Sequence, residues 1–398
     1  MKSPFPQDWK EYTIGDCLRR VEHPVDVDSD ALYTQIGIRS HGKGLFYKEP
    51  VTGESLGSKA VYWVEPDCFI LNIVFAWEQA IGKTTQAEVG MIGSHRFPMY
   101  KPVNNLIDID YLISYLLTKR GTDILEAASP GGAGRNRTLG QDRFMKSRIV
   151  LPPLDEQQKI AEILSTQDKA IELQGRKIEE LKRFKKGCLE KMFPRKGQKV
   201  PEKRFPRFTD DWEQRKLGEL ALFNPKDELP QTFEYVDLES VVGTEMLSHR
   251  TEVKSSAPSR AQRLAHTGDL FYQTVRPYQK NNYLFEKPDN NYVFSTGYAQ
   301  MRPYVDGYFL LSLVQSERFV KVVLDNCTGT SYPAINANDL AEIEVAAPSD
   351  ESEAQKIGTI FRSIDNLITL HQRKLEEMKR QKKALMQLLL TGIVRVKA

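Results

Sequence analysis

The longest regular pattern of apolar positions lies in residues 151–193. After the Pro152-Pro153 pair, this stretch has no proline, and its first glycine is Gly175. Apolar residues recur in it at seven-residue intervals, in two rows offset by three: Leu164, Ile171 and Ile178, then Leu181 and Cys188. This spacing predicts a helix with a narrow apolar seam that packs against another helix. Over residues 157–193 the helix would be about 54 Å long, at about 1.5 Å per residue, so it outreaches a single core and needs a partner helix.

The partner helix is found in residues 345–390, where the same pattern occurs again. With Gln158-Lys159-Ile160 set on Gln355-Lys356-Ile357, the apolar and charged positions stay in register to the end of the stretch. The predicted seam of the two helices consists of Leu164, Ile171, Ile178, Leu181, Phe361, Ile364, Ile368, Leu375 and Met378. One helix that occurs twice, about half a chain apart, indicates a duplicated architecture.

The segments outside the helices repeat more weakly. The motif Phe5-Pro6-Gln7-Asp8-Trp9 resembles residues 205–212, and Asp67-Cys68-Phe69 resembles Asp269-Leu270-Phe271. In each copy a buried-strand signal precedes a helical signal. These signals lie at residues 69–77 and 106–119 in the first copy, and at 268–275 and 308–323 in the second. The sequence therefore predicts an α/β module in each copy.

Length and composition narrow the class of protein. The 398 residues predict two or three domains, and a net charge of only +3 means that any basic surface must be local. The four cysteines are scattered without a CxxC pair, which argues against a zinc ribbon or a disulfide framework and is typical of a reducing compartment. No segment approaches 18 consecutive apolar residues and the first residues lack a signal-peptide pattern, so we expect a cytoplasmic protein that does not span a membrane.

The sequence carries no convincing catalytic motif. Ile81-Gly82-Lys83-Thr84 ends like a phosphate-binding loop, but Trp77 stands where that loop needs its first glycine. The six histidines form no HExxH and do not pair with the cysteines, so no metal site is predicted. No acidic cluster typical of a nuclease is found. We therefore expect that the chain catalyses no reaction by itself.

The remaining candidate chemistry is binding chemistry, in clusters of basic, amide and aromatic residues. Arginine suits phosphates and the guanine edge, and Asn and Gln suit the adenine edge. The first copy offers Arg39, His41, Lys43, His95, Arg96, and Arg135, Asn136 and Arg137 in a glycine-rich loop. The second copy offers Gln273, Arg276, Tyr278, Lys280, Asn281, Thr330, Ser331 and Tyr332. For any single residue, an ordinary solvated loop position is the better interpretation, so the clusters as groups carry the DNA-binding hypothesis.

With these motifs in order, the chain resembles the specificity subunit of a type I restriction–modification system. The resemblance covers nearly the whole sequence. It rests on the approach to the first long helix (residues 150–160), the closing helices, the Phe205-Pro206 to Trp212 segment and the turn at residues 329–340. It implies an α+β fold, in which two pseudo-repeated α/β target-recognition domains are separated by two long antiparallel coiled-coil helices.

We expect four segments: recognition domain 1 at residues 1–150, a central helix and linker at 151–200, recognition domain 2 at 201–347, and a distal helix at 348–398. The resemblance implies that each domain reads one half of a bipartite site in double-stranded DNA. It also implies two modification (methyltransferase) subunits and restriction subunits as partners, with no membrane contact. S-adenosylmethionine, ATP and magnesium are expected on those partners, with no cofactor in this chain. From the residues alone, a coiled-coil protein-interaction scaffold that does not read DNA stays open as an alternative.

Overall fold

The structure is a computed structural model, and it describes residues 5–131, 137–289, 291–329 and 331–396. The chain divides into two compact units. Unit 1 consists of Met1–Gln174 and Lys374–Ala398, and unit 2 consists of Gly175–Arg373. Each unit therefore combines one recognition module with parts of both long helices. Among the described residues, no helix is both long enough and apolar enough to cross a membrane.

Unit 1 contains short strands and helices around one large hydrophobic cluster and two smaller ones. Its strands are β1 Lys10–Thr13, β2 Leu18–Val21, β3 Leu32–Tyr33, β4 Ile36–Ile38, β5 Leu45–Tyr47, β6 Val51–Thr52, β7 Val61–Trp63, β8 Phe69–Leu71, β9 Ile81–Lys83, β10 Ile92–Ser94, β11 Met99–Pro102 and β12 Arg148–Leu151. Its helices are α1 Ile14–Cys17, α2 Gly53–Leu56, α3 Ile109–Leu116, α4 Lys119–Ala128 and α5 Gln141–Lys146, with 3₁₀ turns at Ala76–Glu78 and Gln86–Glu88. The first long helix, α6 Leu154–Met192, begins in this unit.

Unit 2 repeats this order of elements. Its strands are β13 Glu213–Lys216, β14 Ala221–Phe223, β15 Thr232–Val236, β16 Val241–Val242, β17 Glu245–Met246, β18 Arg250–Val253, β19 Ala261–Leu264, β20 Leu270–Gln273, β21 Tyr283–Leu284, β22 Tyr292–Ser295, β23 Tyr298–Pro303 and β24 Glu344–Ala347. Its helices are α7 Gly307–Gln315, α8 Glu317–Asp325 and α9 Ala337–Ala341, with 3₁₀ turns at Leu217–Glu219 and Pro277–Gln279. The second long helix, α10 Glu351–Leu389, begins here.

The two units share the topology of their central sheets. The strand order is β2-β11-β8-β9 in unit 1 and β14-β23-β20-β21 in unit 2, with every neighbouring pair antiparallel. In both units a second, two-stranded ladder joins the first strand to the last strand before the long helix, as β1-β12 and β13-β24. The buried residues Phe69, Ile70 and Leu71 show why the central strand reads as a continuous apolar run. Unit 2 adds a four-stranded sheet of order β18-β15-β22-β19.

The long helices pair antiparallel within each unit. In unit 1, Lys382 Nζ lies 2.5 Å from Asp168 Oδ1. In unit 2, Lys185 Nζ lies 2.6 Å from Asp365 Oδ1. These are the same two positions of the repeat with the helices exchanged, so the duplication produces two reciprocal ion pairs. Every predicted seam residue is buried or half-buried. Two repeats of mixed helix and strand with paired long helices confirm the predicted fold class.

A buried glutamate in the first turn of each long helix is held by an arginine that follows the other helix. Glu353 is fully buried, and Arg204 binds it with two hydrogen bonds of 2.7 and 2.8 Å. Glu156 is bound in the same way by Arg395, at 2.7 Å for both contacts, and Arg395 also binds Asp8. Carboxylates in a first helical turn are favoured by the helix dipole. The two ionic contacts therefore tie the start of each helix to its own unit.

Three sequence predictions about local structure need correction. The strand predicted at residues 69–77 ends at Leu71, and the chain then turns into the 3₁₀ segment Ala76–Glu78. The helix predicted at residues 106–119 is α3 Ile109–Leu116, with α4 beginning at Lys119, and the helix predicted at residues 308–323 is divided between α7 and α8. Thr118 and Ser316 interrupt them, because each side chain accepts a hydrogen bond from a backbone N–H three residues ahead and so caps a new helix.

Candidate nucleic-acid interface

In unit 2, the connection between β20 and β21 (residues 274–282) is built around two buried amides. Gln273 is 2% exposed, and its Nε2 donates to the Val275 carbonyl at 2.5 Å and to Gln279 Oε1 at 2.8 Å. Its backbone N–H donates to Asn282 Oδ1 at 2.9 Å. The prediction that Gln273 contacts DNA is therefore corrected, because its side chain is enclosed by the connection that it stabilises.

The β20–β21 connection has two residues in the left-handed backbone region. Arg276 has a φ of 54° and Lys280 a φ of 56°, and the 3₁₀ turn lies between them. Left-handed conformations are unfavourable for side chains with a Cβ and are often found at functional sites. The turn projects Tyr278, which is 49% exposed. Lys280 and Asn281 are partly occupied, since Lys280 Nζ binds Glu317 at 2.8 Å and Asn281 Oδ1 accepts from the Gly243 N–H at 2.8 Å.

The structure joins this connection to the second predicted cluster of unit 2. The Arg276 N–H donates to the Pro333 carbonyl at 2.8 Å, and Val275 bridges to Ala334. The Arg276 guanidinium lies 4.4 Å from the centroid of the Tyr332 ring, a cation–π contact. Tyr332 is 63% exposed and Ser331 is also exposed, whereas Thr330 lies outside the described residues. We call Arg276, Tyr278, Ser331 and Tyr332 the unit 2 surface.

Unit 1 has the equivalent connection between β8 and β9, at residues 72–80. It also contains a 3₁₀ turn followed by a left-handed residue, Gln79, with a φ of 59°. The Arg137 guanidinium lies 5.5 Å from the centroid of the Trp77 ring. In unit 1 the arginine comes from the loop that follows α4, and the aromatic ring comes from the connection. In unit 2 the arginine comes from the connection, and the ring comes from the loop that follows α8. The two units therefore place the same kind of cation–aromatic pair on the same part of the sheet.

Two further turns of unit 1 contact the β8–β9 connection. The His41 N–H donates to the Glu78 carbonyl at 2.8 Å, and the Ile73 N–H donates to the Arg96 carbonyl at 3.0 Å. His41, Lys43 and Arg96 are exposed, as is His95. The turns that carry His41 and Arg96 thus contact one connection. We call His41, Lys43, His95, Arg96 and Arg137 the unit 1 surface.

Two of the predicted arginines differ in how free their guanidinium groups are. Arg39 donates to the Leu45 carbonyl at 2.8 Å and lies 5.3 Å from the Phe46 ring centroid, so it helps to fix its own turn. The guanidinium of Arg137 contacts the ring of Trp77, which lies at the end of the strand predicted at residues 69–77. Arg135 and Asn136 lie outside the described residues. A tryptophan at the end of a buried strand, just before a glycine-rich basic loop in the repeat, was the signal that could have identified Trp77.

The chemistry of both surfaces suits a polyanion with planar rings. Guanidinium groups offer donors to phosphate oxygens or to the O6 and N7 atoms of guanine, and exposed aromatic rings offer stacking and apolar contact. Among the described residues, no group of three or more His, Cys, Asp or Glu side chains is arranged to hold a metal ion.

The sequence matches one known family over most of its length. The model described as "Type I restriction modification DNA specificity domain" matches residues 6–183 and 209–380, which are the two copies of the repeat. The type I restriction enzyme MjaVIII specificity subunit of Methanocaldococcus jannaschii is 25% identical over 424 residues, which cover 98% of this chain and 94% of that protein. The putative MjaX specificity subunit of the same organism is 25% identical over 419 residues, covering 99% and 95%.

A solved structure has the same fold. The type I restriction–modification S subunit from M. genitalium superimposes with a TM-score of 0.60 at 14% identity, over 98% of this chain and 99% of that one. The similarity extends over both repeats and both long helices, so it concerns the whole architecture.

Proposed function

Because the chain belongs to the family of type I restriction–modification specificity subunits, we propose that it is the DNA-reading subunit of such a complex. Each recognition domain, at residues 1–150 and 201–347, reads one half of a bipartite site in double-stranded DNA. The chain itself catalyses no reaction and holds no cofactor. Modification subunits supply S-adenosylmethionine and adenine methylation, and restriction subunits supply ATP- and magnesium-dependent cleavage, in the cytoplasm.

The observation that carries this proposal is the repeated binding surface. The β8–β9 and β20–β21 connections occupy the same place in the two central sheets, and each pairs an arginine with an aromatic ring. The side chains around these pairs differ, with histidines in unit 1 and tyrosines in unit 2. A constant scaffold with different contact residues suits one reader for each of two unlike half-sites.

The helices offer support for two copies of one docking partner. Leu173 on α6 is 63% exposed, and Leu370, at the equivalent position on α10, is 62% exposed. Large apolar side chains on a helix face are costly to leave in water and are typical of interaction surfaces. A duplicated apolar position matches two identical partners, so we assign these faces to the two modification subunits.

The test is DNA binding by the complex with its modification subunits, using Arg276→Ala. If Arg276 contacts a guanine edge, affinity falls by about 1–3 kcal/mol and specificity relaxes at one position. If it contacts a phosphate, affinity falls for all DNA sequences, and the slope of log K against log salt concentration becomes shallower by about 0.9. The matched control is Arg215→Ala, because Arg215 pairs with Glu219 and lies on the separate β13–β24 ladder. We expect the control to bind like the parent.

Two outcomes would count against the proposal. Parental affinity and specificity in Arg276→Ala would remove this residue from the interface. A complex that binds no DNA in a salt-dependent way would favour the alternative, a protein-interaction scaffold.

A further inference from the structure

Unit 2 contains a polar cleft beside the unit 2 surface, with a volume of about 390 Å³. Thr274 and Val275 form part of its wall, and the next residue, Arg276, begins the unit 2 surface. Thr328 and Ala334, which lie in the loop after α8 and bridge to each other, also line the cleft. The cleft is therefore continuous with the segments that carry the proposed DNA contacts.

Arg263 provides the positive charge of this cleft. Its Nε atom is buried and has no hydrogen-bond partner, and no carboxylate pairs with its guanidinium among the described residues. Burial lowers the pKa of Arg263, the direction expected of a cation that is desolvated without a counter-charge. Arg302 in the same unit shows the contrast, because Asp269 and Asp227 bind it and raise its pKa. An uncompensated, half-buried cation is costly, and an anion in the cleft would offset that cost.

The backbone directs Arg263 by an irregularity. The register of β19 against β22 shifts between Ala261 and Arg263, which is a β-bulge. Bulges change the direction of a side chain and are frequent beside functional sites. The bulge is thus a specific feature of the strand at the residue that supplies the charge.

The other polar groups of the cleft are suited to an anion. Thr296 and Asn224 also line the cleft, and among the described residues neither the Thr296 hydroxyl nor Asn224 Nδ2 makes a hydrogen bond. Asn224 Oδ1 is occupied by the Gln300 N–H at 3.0 Å, which orients the amide. The one carboxylate of the wall, Asp339, accepts from Asn336 Nδ2 at 2.7 Å. The volume is far larger than the roughly 30 Å³ share of one water molecule, so a phosphate and part of its sugar have room.

We propose that the cleft around Arg263 binds a phosphate group, that of a DNA strand lying on the unit 2 surface. This inference rests on the proposed function. The contact positions the strand and carries no base information, since phosphates are the same at every step of the sequence. Arg263 is therefore a positioning residue for the neighbouring Arg276 and Tyr332.

The experiment uses the complex with its modification subunits and Arg263→Met, which keeps an unbranched apolar stem and removes the charge. One phosphate contact contributes a salt slope of about 0.9, so we expect about fivefold weaker binding near 0.15 M salt and a slope smaller by about 0.9. The loss should be equal for every DNA sequence and the methylated motif should not change. Arg263→Lys should restore the slope, and Arg215→Met, which removes a charge elsewhere in unit 2, should leave it unchanged.

Two further measurements distinguish a contact of Arg263 with a DNA phosphate from a role of Arg263 in the stability of the fold. DNA with a single neutral methylphosphonate, moved along each strand, should show one position that weakens the parent complex but not Arg263→Met. The melting temperature of the DNA-free complex should not fall in Arg263→Met, because the charge has no partner to lose. A lowered melting temperature with an unchanged slope would overturn the proposal in favour of a structural role.

The remaining outcomes are also decisive. If inorganic phosphate protects the parent but not Arg263→Met against thermal unfolding, while the DNA slopes are equal, the cleft binds a free phosphate and the DNA contact is wrong. If the parent complex binds no DNA, the proposed function fails; if it binds DNA with the slope of Arg263→Met, only this inference fails.

Discussion

Gly358 on α10 allows the recognition module of unit 2 to approach the long helix closely. A Cβ atom at this position would lie 1.9 Å from Asp306 Oδ1 and 2.9 Å from the Phe309 backbone nitrogen. Asp306 caps α7, because its Oδ1 accepts the Phe309 N–H at 2.8 Å. A methyl group at residue 358 would thus occupy the space of the cap that starts α7.

The predicted effect of Gly358→Ala has the opposite sign to that of helix propensity. Replacing a glycine in a helix by alanine ordinarily stabilises the fold by about 1 kcal/mol. Here the lost cap costs about 1 kcal/mol, and insertion of a methyl group into a packed contact costs about 1–3 kcal/mol. The sum is a net destabilisation of about 1–3 kcal/mol, concentrated at α7 and the facing turns of α10.

The repeat supplies a matched control. In unit 1 the equivalent helix position is occupied by Ala161, which is buried. Ala161→Gly should cost about 1–2 kcal/mol through helix propensity and the lost buried methyl. Its effect should be confined to unit 1.

Hydrogen exchange measured peptide by peptide on the complex reads local opening in each unit. Faster exchange over residues 306–315 in Gly358→Ala, with unit 1 unchanged, is the expected result. Slower exchange there would mean that the helix propensity of alanine outweighs the close contact with Asp306, so that the cap of α7 is not lost.

Three further predictions concern the helices. The chain purified without partners should aggregate because of its exposed apolar faces. The double variant Leu173→Ser with Leu370→Ser should aggregate less and should no longer bind modification subunits. If sedimentation shows that it binds them like the parent, the docking assignment is wrong. Lys185→Ala should lower the free energy of unfolding by about 2 kcal/mol and Lys382→Ala by less than about 1 kcal/mol, because the second ion pair is more exposed; equal losses in urea titrations would refute this. Arg204→Ala should cost about 3 kcal/mol, since it leaves a buried glutamate unpaired, and a cost below about 1 kcal/mol would show that water reaches the carboxylate.

Periodicity made the long helices predictable. The predicted helix at residues 157–193 differs from the observed Leu154–Met192 by three residues at its start, because a seven-residue repeat of apolar positions is a strong signal over ten turns. The modules were less predictable. Residues 73–75 are as apolar as the strand before them, but backbone hydrogen bonds of Ile73 with Arg96 and of Phe75 with Ala80 turn them into a connection.

The candidate site required the three-dimensional structure. Arg276 and Tyr332 lie 56 positions apart in the sequence, and the backbone contacts of Val275 with Ala334 and of Arg276 with Pro333 bring them together. Gln273 is of a residue type that often contacts DNA, but its side chain is enclosed. Whether such an amide is buried depends on the turn around it, and the residue type does not reveal this. Arg263 carried no sequence signal, since its importance comes from the absence of a carboxylate partner among the residues that the structure describes.

If one chain reads two half-sites with two separate domains, each domain determines one half of the methylated motif. The most direct measurement is a map of methylated adenines produced by the complex, for the parent and for a hybrid whose residues 201–347 come from a related specificity subunit. We expect a two-part motif for the parent, and a hybrid motif in which one half changes and the other half is retained. A continuous motif, or a change of both halves in the hybrid, would contradict this expectation.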